Sequence, residues 1–361
     1  MALFINETTS SVADLISKLN TFLTTAGGGN PAWTADRHVP GSGEWAISKA
    51  ALGTNTADVQ VAFQWDTAAP RHLAIYQYDH ASGAGNYDTG RAGPWDQDND
   101  SGNGAASTSD AAIDDARMVD LASDAPLQYW AFVTVSGVEA VHVVVQTTSA
   151  KYVHFGFGEL QKFNDWNGGA YAYGMRMQGT TTDSTAVQPG STHLLDGLCK
   201  DGSAPNPTNA MELFMATIQC DGLPSQDGAG LWAIVGSNQT DTGLDRQSNG
   251  GGSDTVRANF AGGYRANEFA IAFGQALASP DAGFVPGYPI ATFYWAQSTG
   301  AVYGPMGMMV DVRGINIGDF AVEQEIVIGS DTWVVFPSHE KSTTTTQAAA
   351  TVNQGIMYKK N

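Results

Sequence analysis

The chain has 361 residues, of which 42% are hydrophobic, 15% charged and 42 glycine, enough apolar material for a real core and a composition that leans towards β structure with many tight turns. Seventeen Lys and Arg against 36 Asp and Glu leave a formal charge of -19, a surface potential that repels phosphate backbones and anionic lipids and argues against nucleic acid as a direct partner. No run of about 18 apolar residues is present to span a bilayer, and the opening MALFINETTSS lacks the regions of a secretory signal, so assembly in a cytoplasm is expected.

Residues 9 to 24 place Val12, Leu15, Ile16, Leu19, Phe22 and Leu23 at steps of three and four, the stripe of an amphipathic helix. Ser11 and Asp14 form a capping-like start, and Gly27, Gly28 and Gly29 before Asn30-Pro31 end it in a hinge. A helix of this length is marginal alone in water, so its stripe must dock, on its own body or on a neighbouring subunit. Residues 1–29 are therefore read as a helix with a glycine hinge.

From Asp58 to Trp65 the apolar Val59, Val61, Phe63 and Trp65 alternate with Asp58, Gln60, Ala62 and Gln64, the period of a half-buried strand. Leu73 to Tyr78 reads as its return partner. After a polar stretch come three more candidates, Gln128 to Val135, Val138 to Thr147 and Tyr152 to Gly158, whose short connections force antiparallel neighbours. Residues 30–180 are thus expected to form an antiparallel β domain of sandwich or meander type, with Val143 and Val145 joining the strand residues above in its core.

From about Thr180 to Gly263 the chain is richer in Gly, Asn, Asp, Ser and Thr, which marks loops, and residues 181–320 are read as a loop-rich region of β or mixed structure. Inside them Met211, Phe214, Met215 and Ile218 sit at helical spacing behind Asn209 and Glu212, and a packing helix is expected. Residues 321–361 begin with a hairpin, Glu325 to Ile328 and Thr332 to Phe336 around Gly329-Ser330-Asp331, stopped by Pro337. A Thr-rich, Ala-rich linker follows, then a final strand over Gly355 to Lys360. The expected fold class is mainly β, with antiparallel sheets, an N-terminal amphipathic helix and long Gly-rich loops.

Motifs for chemistry are sparse. No Gly-Lys pair, dinucleotide-binding glycine cluster or Gly-x-Ser-x-Gly elbow occurs. His339-Glu340 is followed by Thr343 where a zinc protease needs its second histidine. Cys199 and Cys220 match no redox or zinc spacing and read as free thiols. A two- or four-residue connection would put His142 and His154 on opposite faces, and only a three-residue loop would set them opposite each other; they are expected to be half-exposed and unconnected. Asp96, Asp98 and Asp100 alternate in a polar loop and form a weak calcium candidate, because Gly102 falls one position late for an EF-hand and Ser107 replaces its glutamate. Trp65, Trp130 and Trp333 lie in strands where burial accounts for them. No catalytic residue and no other cofactor is assigned.

The stretch KYVHFGFGELQKFNDWNGGAYAYG, Lys151 to Gly174, resembles virion structural proteins of tailed bacteriophages, in which a strand ending in a Phe-Gly-Phe-Gly segment leads through a Trp-x-Gly-Gly loop to an aromatic strand. EQEIVIGSDTWVVFPSHEK, residues 323–341, and NQGIMYKK, residues 353–360, are similar to the carboxyl end of such proteins. The resemblance covers about 50 residues and transfers no functional residue. It implies a copy-rich, non-enzymatic component of the tail, baseplate or neck, assembled in a host cytoplasm and partnered by its own copies and by neighbouring virion proteins. Two other readings stay open: a receptor-binding or glycan-binding virion protein, and a glycan-cleaving one.

Overall fold

The computed structural model describes residues 2–25, 33–50, 59–65, 72–77, 117–120, 125–135, 137–148, 152–163, 167–174, 215–221, 231–235, 254–258, 287–296, 301–317, 320–337 and 354–360. These residues are mainly β. The chain opens with β1 (Ala2–Thr8) and α1 (Val12–Thr24), then runs through β2 (Thr34–Val39), β3 (Glu44–Lys49), β4 (Val59–Trp65), β5 (His72–Gln77) and β6 (Arg117–Asp120). The meander β7 (Pro126–Val135), β8 (Glu139–Thr147) and β9 (Tyr152–Glu159) follows, with the two-residue β10 (Gln161–Lys162) and then β11 (Asn167–Gly174). Next come β12 (Met215–Asp221), β13 (Leu231–Val235), β14 (Asp254–Ala258), β15 (Tyr288–Ala296) and the long β16 (Ala301–Asn316). The hairpin β17 (Glu325–Ile328) and β18 (Asp331–Pro337) and the last strand β19 (Gln354–Lys359) complete the order.

Two sheets result. Strands β2 to β6 pair in sequence order, and the larger sheet runs β1-β7-β8-β9-β11-β12-β13-β14-β15-β16-β19-β18-β17, with β10 attached to β16. Among the described residues the pairings are antiparallel except β13 with β14. The larger sheet doubles back, so that β16, β18 and β19 face β7, β8 and β9. On the opposite side of β7 to β9 lie α1 and the smaller sheet, where Phe63 and Trp45 meet Phe157. Strands β8 and β9 therefore form a middle layer with protein on both faces, and every residue of β9 is buried.

The expected antiparallel segment is present, with Val59, Val61, Phe63, Trp65, Val143 and Val145 all in the core. Its strands are divided between the two sheets, β4 and β5 in the smaller and β7 to β9 in the larger. The C-terminal hairpin turns at Gly329, whose φ of 65° lies in the left-handed region that glycine adopts without a Cβ penalty.

The helix forms where the stripe predicts. Ser11 Oγ accepts from the Asp14 N–H at 3.1 Å, and the Asp14 carboxylate accepts from the Ser10 N–H at 3.0 Å, satisfying donors that the helix start leaves open. Its stripe docks on its own body: Val12, Leu15, Ile16, Leu19 and Leu23 belong to the same core cluster as β7 to β9 and β4. Asn20 fixes the approach by accepting from Trp45 Nε1 at 2.9 Å.

The expected packing helix is corrected. Met215 and Ile218, read as part of a helical stripe, lie on β12, which is hydrogen-bonded between β11 and β13. Four apolar residues are too short a sample to separate periods, and pairing on both sides outweighs a weak helical preference. Met211 and Phe214 lie outside the described residues.

Leu15 is fully buried, so Leu15→Ala is expected to cost about 2–5 kcal/mol in urea unfolding. Removal of residues 2–25 strips both β1 and the helix from β7, and loss of the cooperative transition is expected. A truncated chain that unfolds at an unchanged midpoint would show that the helix is not part of the core.

Candidate functional site: a buried chain of histidines and tyrosines

The segment Phe155-Gly156-Phe157-Gly158 is an alternating strand with two different faces. Its phenylalanines point towards the smaller sheet, where Phe63 contacts both rings. Its glycines make room on the other face. A Cβ on Gly156 would lie 2.7 Å from the Tyr173 ring and 2.5 Å from the Val141 carbonyl oxygen, so Tyr173 lies across a strand that any larger residue would push away.

Four polar rings come together on this face, with Tyr173 seated in the space that Gly156 leaves. Val144 pairs with His154 and His142 with Gly156, which puts both imidazoles on the face that meets β16, β18 and β19. His142 contacts Tyr173 Oη through Nδ1 at 2.7 Å and the Val310 carbonyl through Nε2 at 2.9 Å. His154 repeats the pattern, with Tyr358 Oη at 2.8 Å and the Pro337 carbonyl at 2.9 Å. The Tyr173 and Tyr358 hydroxyls are themselves hydrogen-bond partners.

The histidines are thus neither half-exposed nor unconnected; both are fully buried. The connection is none of the lengths considered: the pairing of Gln146 with Tyr152 leaves five residues between them, which puts the two rings on one face but offset, with His154 across from Val144 and His142 across from Gly156. What periodicity did not contain was the second layer that covers them.

A carbonyl only accepts, so each Nε2 carries hydrogen, and a neutral imidazole then accepts at Nδ1 from the tyrosine. With both rings neutral, four hydrogens serve five contacts along the chain from the Val310 to the Pro337 carbonyl. A proton added to either ring would fill the remaining contact, at the cost of a buried charge. Burial dominates that balance at His142 and pushes its pKa down to about 4, against weaker support from the Val310 carbonyl and the Asp311 carboxylate. Burial likewise raises both tyrosines far above the ordinary phenol range. The chain is a hydrogen-bonded tie between layers in which burial holds His142 neutral.

Asp311 belongs to the same junction. Its φ of 55° is left-handed, a conformation that aspartate tolerates better than most residues. The kink follows Val310, the residue that binds His142, and the Asp311 carboxylate accepts from Thr134 Oγ1 on β7 at 2.6 Å.

Other sequence candidates are more dispersed. Asp96, Asp98 and Asp100, His339, Glu340 and Cys199 lie outside the described residues, and Cys220 pairs with Gly168 on the β11–β12 ladder. Trp65, Trp130 and Trp333 are buried. Tyr173, Tyr358, Lys49 and Glu159 were not singled out by sequence; alternating glycines opposite an aromatic strand were the available signal for the two tyrosines. No protein-family model matches the chain, and no curated protein matches it. No helix among the described residues is long and apolar enough to cross a membrane.

The His142 shift fixes a pH dependence. The unfolded imidazole titrates near 6.5 and the folded one near 4, so between these values the unfolded state holds more protons. The stability from this residue is complete above pH 6.5, falls as the pH drops below it and is exhausted near pH 4, about 3 kcal/mol in all. Unfolding free energies of wild type and His142→Gln, compared across that window, should show the steeper fall in wild type; parallel curves would place the titration elsewhere. Tyr173→Phe leaves His142 Nδ1 buried without a donor and is expected to cost about 1–3 kcal/mol by the same measurement.

Proposed function

We propose that the protein is a structural component of a tailed-bacteriophage virion, in its tail, baseplate or neck, acting through interfaces between subunits. The observation that supports this reading is where the three resembling segments meet. Residues 151–174 contribute His154 and Tyr173, residues 323–341 contribute Phe336 and the Pro337 carbonyl, and residues 353–360 contribute Tyr358. Segments far apart in sequence form one packed and hydrogen-bonded unit, so the resemblance follows the framework of the fold. A framework resemblance suits a protein whose working surface is an interface.

Its copies carry a formal charge of -19 each and repel one another, so assembly must draw on apolar and backbone contacts, with salt relieving the repulsion. Self-association is expected to strengthen from about 10 to about 150 mM ionic strength, as the Debye length shrinks from about 30 to about 8 Å. Sedimentation velocity at matched protein concentration, with electron microscopy of the assemblies, tests this. Oligomers that dissociate on adding salt would refute the charge argument. Saturable polysaccharide binding by a chain that stays monomeric would favour a receptor-binding protein, and release of reducing ends an enzyme.

A further inference from the structure

Three ionisable side chains lie inside the protein where the two sheets meet, apart from the histidine chain. Lys49, at the end of β3, is in direct ion-pair contact with Glu139, at the start of β8, and their side chains are only 6% and 3% exposed. Glu159, the last residue of β9, is also buried. Because Ala140 pairs with Gly158, Glu139 and Glu159 occupy the next position of the same ladder, and Glu159 Oε2 accepts from the Glu139 N–H at 3.4 Å. The buried Trp33 ring closes the site, with its centroid 5.6 Å from Lys49 Nζ.

These are the ingredients of a condensation. An amine touches a carboxyl group, a second buried carboxylate is held on the backbone N–H of that same glutamate, and a buried aromatic ring lies beside the amine. Holding two full charges there costs several kcal/mol per ion in lost hydration, whereas an amide carries no charge. Burial pushes the Glu139 carboxyl up towards its neutral form, against the opposing pull of Lys49, and a neutral acid is the form that an amine attacks.

We propose that Lys49 and Glu139 join in an intramolecular amide bond that staples the smaller sheet to the larger one, with Glu159 as proton acceptor. The Glu159 carboxylate takes one proton from the Lys49 ammonium and keeps it. The freed lone pair on Nζ attacks Cδ of the neutral Glu139 carboxyl. The new Nζ–Cδ bond forms as the Cδ–O bond to the hydroxyl breaks, and the second nitrogen hydrogen leaves with that hydroxyl as water. Nothing is oxidised or reduced, and no co-reactant is needed. The bond does not depend on the virion reading, since the three residues come from this chain alone.

The test is mass spectrometry of the full-length protein in denaturant. The wild-type chain is expected to be lighter than its sequence by one water, and digestion should yield the Lys49 and Glu139 peptides joined as one branched species. Lys49→Arg, which keeps the charge but not the primary amine, should restore the full mass. Glu159→Gln should leave most of the protein uncondensed. A wild-type chain at full sequence mass, with Lys49 open to amine-reactive labelling after unfolding, overturns the proposal, as does a water loss that persists in Lys49→Arg. Condensation unaffected by Glu159→Gln overturns the role given to Glu159.

Discussion

The middle layer has no free side. Strands β8 and β9 lie between α1 with the smaller sheet and the returning strands β16, β18 and β19, so nearly every side chain on them is buried. A position there has three options: to be apolar, to be small enough for a neighbour to lie across it, or to have its polar atoms bonded within the protein. Val141, Val143 and Val145 take the first, Gly156 and Gly158 the second, and His142 and His154 the third. The two histidines use both ring nitrogens, which is how imidazoles are accommodated in so dry a place.

This constraint also explains how packing and polarity are combined. Phe132 stacks on Tyr358 at 5.1 Å, and Phe336 packs against Trp130 at the same centroid distance, so aromatic surface supplies the bulk of the contact between layers. The hydrogen bonds supply register. A shift of β19 by one residue would turn Tyr358 away from His154 and leave two buried polar groups unpaired, which penalises the wrong pairing more than the correct one is rewarded.

Local periodicity was readable wherever an element has one buried face. The helix over residues 12–24 and the strand over residues 59–65 show clean periods of 3.6 and 2, and the meander of β7 to β9 followed from its short turns. Strands β2 and β3 were missed because Val39-Pro40-Gly41-Ser42-Gly43 looks like loop, although it makes a tight reversal with Gly43 at a φ of 68°. β1 was missed because seven residues beside a strong helix signal carry little pattern of their own. The buried chain was legible only in part. Its glycine alternation is visible in the sequence, but the residues that complete it lie far along the chain, Tyr358 being 204 positions from His154 and Val310 168 from His142. No local window contains such a pairing.

Those separations set a timetable for the newborn chain. A ribosome adds roughly 5–20 residues per second, so β9 emerges roughly 10–40 s before the strand that covers it. During that interval one face of the middle layer presents Trp130, Phe132, Val144 and two imidazoles to water, next to identical faces on other nascent copies. Contacts this distant also make closure slow. The feature that joins the layers in the finished body therefore leaves its apolar face uncovered for longest during synthesis.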